Sequence, residues 1–179
     1  DKVNYEKLYN GRFKLLKKAY KKSNISEKED FDKFKSENCY WLNDYAMFMA
    51  IKDRFNGQSF DKWAEDIKLR WEYSMEYYQN ELKDEIEFYK FIQYEFYRQW
   101  YKLKKYANEN GIKIIGDIPI YVAYDSADVW AHPELFQMDE NGKPVAVAGC
   151  PPDGFSATGQ LWGNPLYRWD YHKQTNYDW

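Results

Sequence analysis

Between Asp84 and Asn108, the residues Phe88, Ile92, Phe96, Trp100, Leu103 and Ala107 recur at spacings of four, four, four, three and four. Those spacings bring each side chain above the last on one helix face, so the pattern predicts a single long helix with one apolar stripe. The stretch "CYWLNDYAMFMAIKDRF" carries the same period. Leu42, Tyr45, Met49 and then Lys52 or Phe55 share a face, and the pattern stops near Asn56–Gly57. Upstream, "SEKE" at Ser26–Glu29 has the form of a capping box, in which Ser26 and Glu29 satisfy each other's free amides ahead of Phe31 and Phe34. A segment from about Asp61 to Tyr78 is less regular. Residues 1–110 therefore read as helices, with no repeat, low-complexity run or linker between them.

The pattern changes at "NENGIKIIGDIPIYV". Asn110–Gly111 supplies a helix stop, because glycine takes the left-handed cap conformation without strain. Ile112, Ile114 and Ile115 then predict a short buried strand ending at Gly116–Asp117. Helix, glycine stop, apolar strand and an acid at the strand's carboxyl end is the grammar of α/β proteins, and in (β/α)8 barrels that end faces the active site. One such unit is shared by many folds. Further on, "DSADVW" offers Asp125 or Ser126 as the N-cap of another helix. "FQMDENGKPVAVAG" predicts a small hairpin turning at Asn141–Gly142, with Val145 and Val147 alternating with alanines. Pro151 to Pro165 has little periodicity and reads as a long loop, the kind of segment a scaffold holds out for binding. The fold class expected is helix-rich α/β: a helical region over residues 1–110, then a strand with long loops over 111–179.

Composition adds one unusual property, since 37 of the 179 residues are Phe, Tyr or Trp. Most would pad a helical core. The remainder could line a site for an amphipathic ligand such as a sugar, whose C–H faces stack on rings while its hydroxyls hydrogen-bond. The net charge of −3, from 26 basic and 29 acidic residues, argues against a nucleic-acid partner, and the lysine pairs sit on helix-like segments where a solvated face explains them. No apolar run approaches the ~18 residues that span a bilayer, so no membrane role is expected. Cys39 and Cys150 stand alone, and a reduced intracellular protein is a simpler reading than one disulfide. The first residue is Asp1, and truncation at both ends is expected.

Candidate chemistry gathers in two loops. Asp117 could orient a hydroxyl or act as an acid or base, or could accept backbone amides. Asp125 and Asp128 read as structural, because "DSAD" is a natural cap. In the second loop Asp153, Gln160 and Asn164 offer planar polar groups and Phe155 and Trp162 offer rings, although Asp153 and Asn164 could instead serve the loop's own turns. Glycoside chemistry needs two carboxylates a few ångströms apart, and no spacing here identifies such a pair. His132 and His172 lack a partnered Ser or Cys motif, and no metal-ligand cluster or phosphate-cradling loop appears. The residues support a polar and aromatic binding loop rather than catalysis.

The run "IKIIGDIPIYVAYDSADVWAHPELFQMDENGKPVAVAGCPPDGFSATGQLWGNPLYRWD" resembles the 4-α-glucanotransferases of glycoside hydrolase family 77, the amylomaltases or disproportionating enzymes. "WLNDYAMFMAIKDRF", "FIQYEFYRQWYKLKKYANENGI" and "YHKQTNYDW" fit the same family, so the resemblance covers nearly the whole chain. It implies a (β/α)8 barrel with a helical insertion and long active-site loops, in a cytoplasmic, cofactor-free enzyme much longer than this chain. Such an enzyme passes an α-1,4-glucan segment to the 4-hydroxyl of an acceptor by a retaining mechanism. Its substrates are maltooligosaccharides or starch- and glycogen-type glucans. The family's nucleophile lies in an Arg-Ile-Asp-His-Phe-Arg-Gly type motif, which is absent here and would follow Trp179, so no catalytic carboxylate is expected among these residues. Asp117 matches the acid of the family's strand at the floor of the donor region. Asp153, Phe155, Gln160 and Trp162 match the flexible loop that folds over the glucan. Gly154 departs from many members, which carry a side chain there. The rival expectations are a non-catalytic glucan-binding module and a helical protein-interaction domain built on residues 1–110. Self-association of the isolated chain is also expected, because a barrel piece leaves backbone edges and apolar faces open.

Overall fold

The computed structural model describes residues 2–179, except for the side chain of Ser26. The chain divides into two compact units. The first runs up to Ala50 and resumes over Leu82–Ile115; the second comprises Ile51–Glu81 and Gly116–Trp179.

The first unit is helical: α1 (Tyr5–Lys22), α2 (Glu29–Glu37), most of α3 (Cys39–Arg54), and the long α6 (Lys83–Glu109). The α1 helix starts where Asn4 accepts the Lys7 amide at 2.8 Å, satisfying an amide that no helical carbonyl can reach. It packs on α6 through rings, Tyr20 meeting Phe88 and Phe91 at 5.7 and 5.4 Å between centroids. The Tyr20 hydroxyl donates to Asp84 at 3.1 Å, and burial followed by that carboxylate pushes its pKa up to about 12. Phe31 and Phe34 of α2 meet Tyr94 of α6 at 5.5 and 5.7 Å. The period of α6 is thus helical as predicted, but of the predicted stripe only Phe88 is buried, Ile92, Trp100 and Ala107 are half-buried, and Phe96 and Leu103 are exposed; the other buried residues of α6, Ile86, Tyr89 and Phe91, lie off the stripe. In α3, Leu42, Ala46, Met47, Phe48, Ala50 and Ile51 are buried, a wider arc than the predicted face, while Tyr40, Asn43 and Asp53 are exposed.

Two helix boundaries differ in kind. The expected capping box does not start α2, whose N-cap is Lys28 without a side-chain bond. A single 3-10 turn, Ile25–Glu27, takes up that stretch, with Asn24 in the left-handed region, and the Ser26 side chain lies outside the described residues. Glu29, Asp30 and Asp32 in the first turn instead favour the positive end of the helix. The glycine stop of α6 does form: Gly111 has a φ of +77°, and the Ile112 amide turns back to the Ala107 carbonyl at 2.9 Å.

The predicted strand over Ile112, Ile114 and Ile115 is not one. These residues belong to no regular element and are exposed, Ile115 to 94%. A buried strand needs neighbours to complete its ladder and layers to cover both faces. Among the described residues the named strands form a single two-stranded sheet, and it lies elsewhere.

The second unit holds α4 (Glu65–Lys68), α5 (Glu72–Glu81), α7 (Ala127–Ala131), α8 (Trp169–Gln174) and that sheet. Its core joins Phe60, Trp63 and Trp130, and the Trp130 indole donates to the Ile67 carbonyl at 3.0 Å. Ser126 is the N-cap of α7, accepting the Val129 amide at 3.3 Å, while Asp125 is engaged elsewhere. The Asn141–Gly142 turn forms, with the Asp139 amide donating to Lys143 at 2.8 Å, yet its hairpin is a single bridge between Met138 and Pro144. The alanine–valine stretch pairs differently: β1 (Val147–Cys150) runs antiparallel to β2 (Gln160–Pro165). Val145 and Val147 are exposed and Ala148 is buried. The last six residues of the expected loop, Gln160–Pro165, are therefore a strand.

Candidate functional site

The loop between β1 and β2 is built by its own side chains. The Asp153 Oδ1 accepts the amides of Phe155 and Ser156 at 2.8 and 2.9 Å, and the Asp153 amide donates to the Ser156 carbonyl at 3.0 Å. The Ser156 hydroxyl donates to the Gly159 carbonyl at 2.7 Å. Both bonds to the Asp153 carboxylate fall on Oδ1, which leaves Oδ2 as an acceptor at the loop tip. Phe155 projects from this turn with 97% of its surface exposed. Gly154 beside it faces open space, since a Cβ built there meets nothing within 4 Å; glycine is not required by this backbone.

Where the loop returns as β2, polar and aromatic groups alternate. The Trp162 indole donates to the Gln160 Oε1 at 3.1 Å, which fixes the ring and leaves the Gln160 amide nitrogen as a donor. Trp162 is 45% exposed. Asn164 is engaged with another segment, its Nδ2 donating to the Val122 carbonyl at 2.8 Å. That bond brings the segment after Ile120 against β2, where the Tyr121 ring lies 6.4 Å from Trp162 and stacks on Tyr167 at 5.7 Å and 20°. Burial, followed by the charge of Asp128, raises the Tyr167 phenol above its ordinary pKa.

The segment is pinned again at its end. Tyr124 donates to the Gly142 carbonyl at 2.9 Å; burial, with the carboxylates of Asp61, Asp139 and Asp125, pushes its pKa up to about 12. Asp125 forms an ion pair with Lys52 and accepts the Phe60 amide at 3.2 Å.

Of the residues singled out from sequence, Gln160 and Trp162 are thus joined, and Asp153 and Phe155 share the loop turn. Asn164 works as a tether. Asp117 is exposed, and its Oδ1 accepts the Ile118 amide at 2.8 Å within its own segment. Sequence reasoning missed Tyr121, Lys52 and Asp125 as parts of one arrangement. Tyr121 had a signal in its place between "GDIPI" and the cap motif. Lys52 had none, since its partner lies 73 residues away. Both cysteines are free thiols, and no cluster of metal-ligating side chains is found among the described residues.

Comparison with known proteins bears on this site. The profile of the 4-alpha-glucanotransferase family, glycoside hydrolase family 77, matches residues 1–179. A 4-alpha-glucanotransferase of Clostridium butyricum is 51% identical over 178 residues, covering 99% of this chain and 37% of that protein. One from Thermus thermophilus is 47% identical over 173 residues, covering 94% of this chain and 35% of its own length. Among solved structures, the amylomaltase from Streptococcus agalactiae in complex with acarbose superposes with a TM-score of 0.91 at 44% identity, over 99% of this chain and 36% of that one. The chain spans about a third of the length of the relatives it matches.

Proposed function

Because the chain belongs to the 4-alpha-glucanotransferases of glycoside hydrolase family 77, we propose that it supplies the glucan-binding wall and lid of such an enzyme. The parent protein transfers α-1,4-glucan segments to the 4-hydroxyl of an acceptor glucan by a retaining, cofactor-free reaction. Its catalytic carboxylates lie outside residues 1–179, a reading supported by the absence of an Arg-Ile-Asp-His-Phe-Arg-Gly run. Residues 1–110 act as the helical region, and residues 111–179 as a barrel strand with its binding loops. In the complete barrel, Ile112, Ile114 and Ile115 pair with neighbouring strands, and Asp117 then stands at the strand's carboxyl end. The location is cytoplasmic, in keeping with two free thiols and with no described helix long and apolar enough to cross a membrane.

Phe155 carries the proposal. A ring 97% exposed at the tip of a self-bonded turn adds nothing to the core of this chain, so its use is in contact with something else. Asp153 and Gln160 set an acceptor and a donor on the same loop and strand for sugar hydroxyls, and Trp162 a second ring for a pyranose face. Asn164 holds the strand in place beneath them. In the complete gene product, Phe155→Ala is expected to leave Tm unchanged and to lower kcat/KM for maltotriose disproportionation about three- to tenfold. An unchanged kcat/KM would show that the loop tip does not grip glucan.

A further inference from the structure

Tyr121 lies outside the residues assigned above, and its surroundings give it a use. We propose that Tyr121 is a further sugar-stacking residue of this cleft, forming with Trp162 a two-ring corner against which one glucose unit packs. This rests on the glucan-binding reading of β2 and its loop.

The ring has a firm backing. One face stacks on Tyr167, which is buried and itself stacks on Phe136 at 5.5 Å and 29°, so the pile is founded on the core. The remainder of Tyr121 is half-exposed and stands 6.4 Å from Trp162 at an interplanar angle of 56°. Two rings diverging at that angle do not cover each other's faces. A sugar ring can therefore lie along the outer side of the pair, and Gln160, held to Trp162 by its Oε1, keeps its amide nitrogen as a donor beside them. A pyranose has this same division, with C–H faces for rings and equatorial hydroxyls for amides.

The backbone carrying Tyr121 is held in advance of any ligand. Asn164 binds the Val122 carbonyl, Tyr124 binds the Gly142 carbonyl, and Asp125 is gripped by Lys52 and the Phe60 amide. Three anchors within four residues fix the ring's position, so binding does not have to order it, which is how preorganisation raises affinity.

The test uses the complete gene product with three forms: wild type, Tyr121→Leu, which keeps apolar bulk but loses the ring, and Tyr121→Phe, which restores the ring. Maltotriose is the probe, by calorimetric titration and by disproportionation kinetics. Expected are a roughly three- to tenfold weaker Kd and higher KM in the Leu form, little change in kcat, and recovery in the Phe form. Equal Kd values for Leu and wild type, or a Phe form as defective as the Leu form, overturn the proposal. Should wild type bind maltotriose without turning it over, the transferase reading falls while the ring-dependent loss still supports the site. Should wild type not bind at all, both fall.

Discussion

Gly159 decides whether the loop can return to its strand. Its φ is +73°, and a Cβ there would lie 2.6 Å from the Cys150 carbonyl oxygen, a backbone atom that cannot swing aside. Gly159→Ala is expected to destabilise the protein by roughly 1–3 kcal/mol, read as a lowered Tm in thermal unfolding, through strain and a forced backbone shift. A Tm equal to wild type would mean the loop is not seated on β1 as described. At this scale the sequence was informative about residue type and poor about partners. Gln160 and Trp162 were read as groups suited to a sugar, because amide and indole chemistry is the same in any fold, and the structure joins the two by a hydrogen bond. That Asp153 would use Oδ1 for its own turn, and Asn164 its amide for a distant carbonyl, depends on backbone geometry that residue types leave open. Lys52 was equally illegible in its pairing, since a lysine on a helix face is normally solvated.

Helices were read from their period, and the period was sound for α3 and α6 because it reports backbone geometry directly. It did not report what covers the stripe, and so it did not foresee that Phe96 and Leu103 of α6 would be exposed. Strands fared worse. Residues 112–115 have the composition of a buried strand, but a strand is completed by partners, which sequence pattern alone does not bring. β2 was hidden for the opposite reason: "QLWGNP" carries Gly, Asn and Pro, and its pairing to β1 includes a register shift between Val147 and Gly149 that breaks any simple alternation. The exposed isoleucines at 112, 114, 115, 118 and 120 form an apolar run outside any strand, which favours association with another copy. The isolated 179-residue chain is therefore expected to self-associate, with light scattering reporting a mass well above 21.8 kDa. A monodisperse monomer at micromolar concentration would argue that this run is satisfied within the chain.

For the molecule as a whole, the family was legible because long motifs in two loops were preserved as text, while the division into two compact units was not. Residues 51–81 belong with 116–179 rather than with the helices that flank them in sequence, an assignment set by side-chain contacts such as Trp63 on Trp130. Among its residues are exposed rings and amides on one loop and strand, Phe155, Gln160 and Trp162, which the proposed function uses for glucan contact. The most direct measurement is maltotriose disproportionation followed by chromatography, with the 179-residue chain and the complete gene product assayed side by side. The account predicts glucose and longer maltooligosaccharides from the complete protein and none from the chain. Turnover by the chain alone would place a catalytic carboxylate pair within residues 1–179, and inactivity of the complete protein would remove the transferase reading itself.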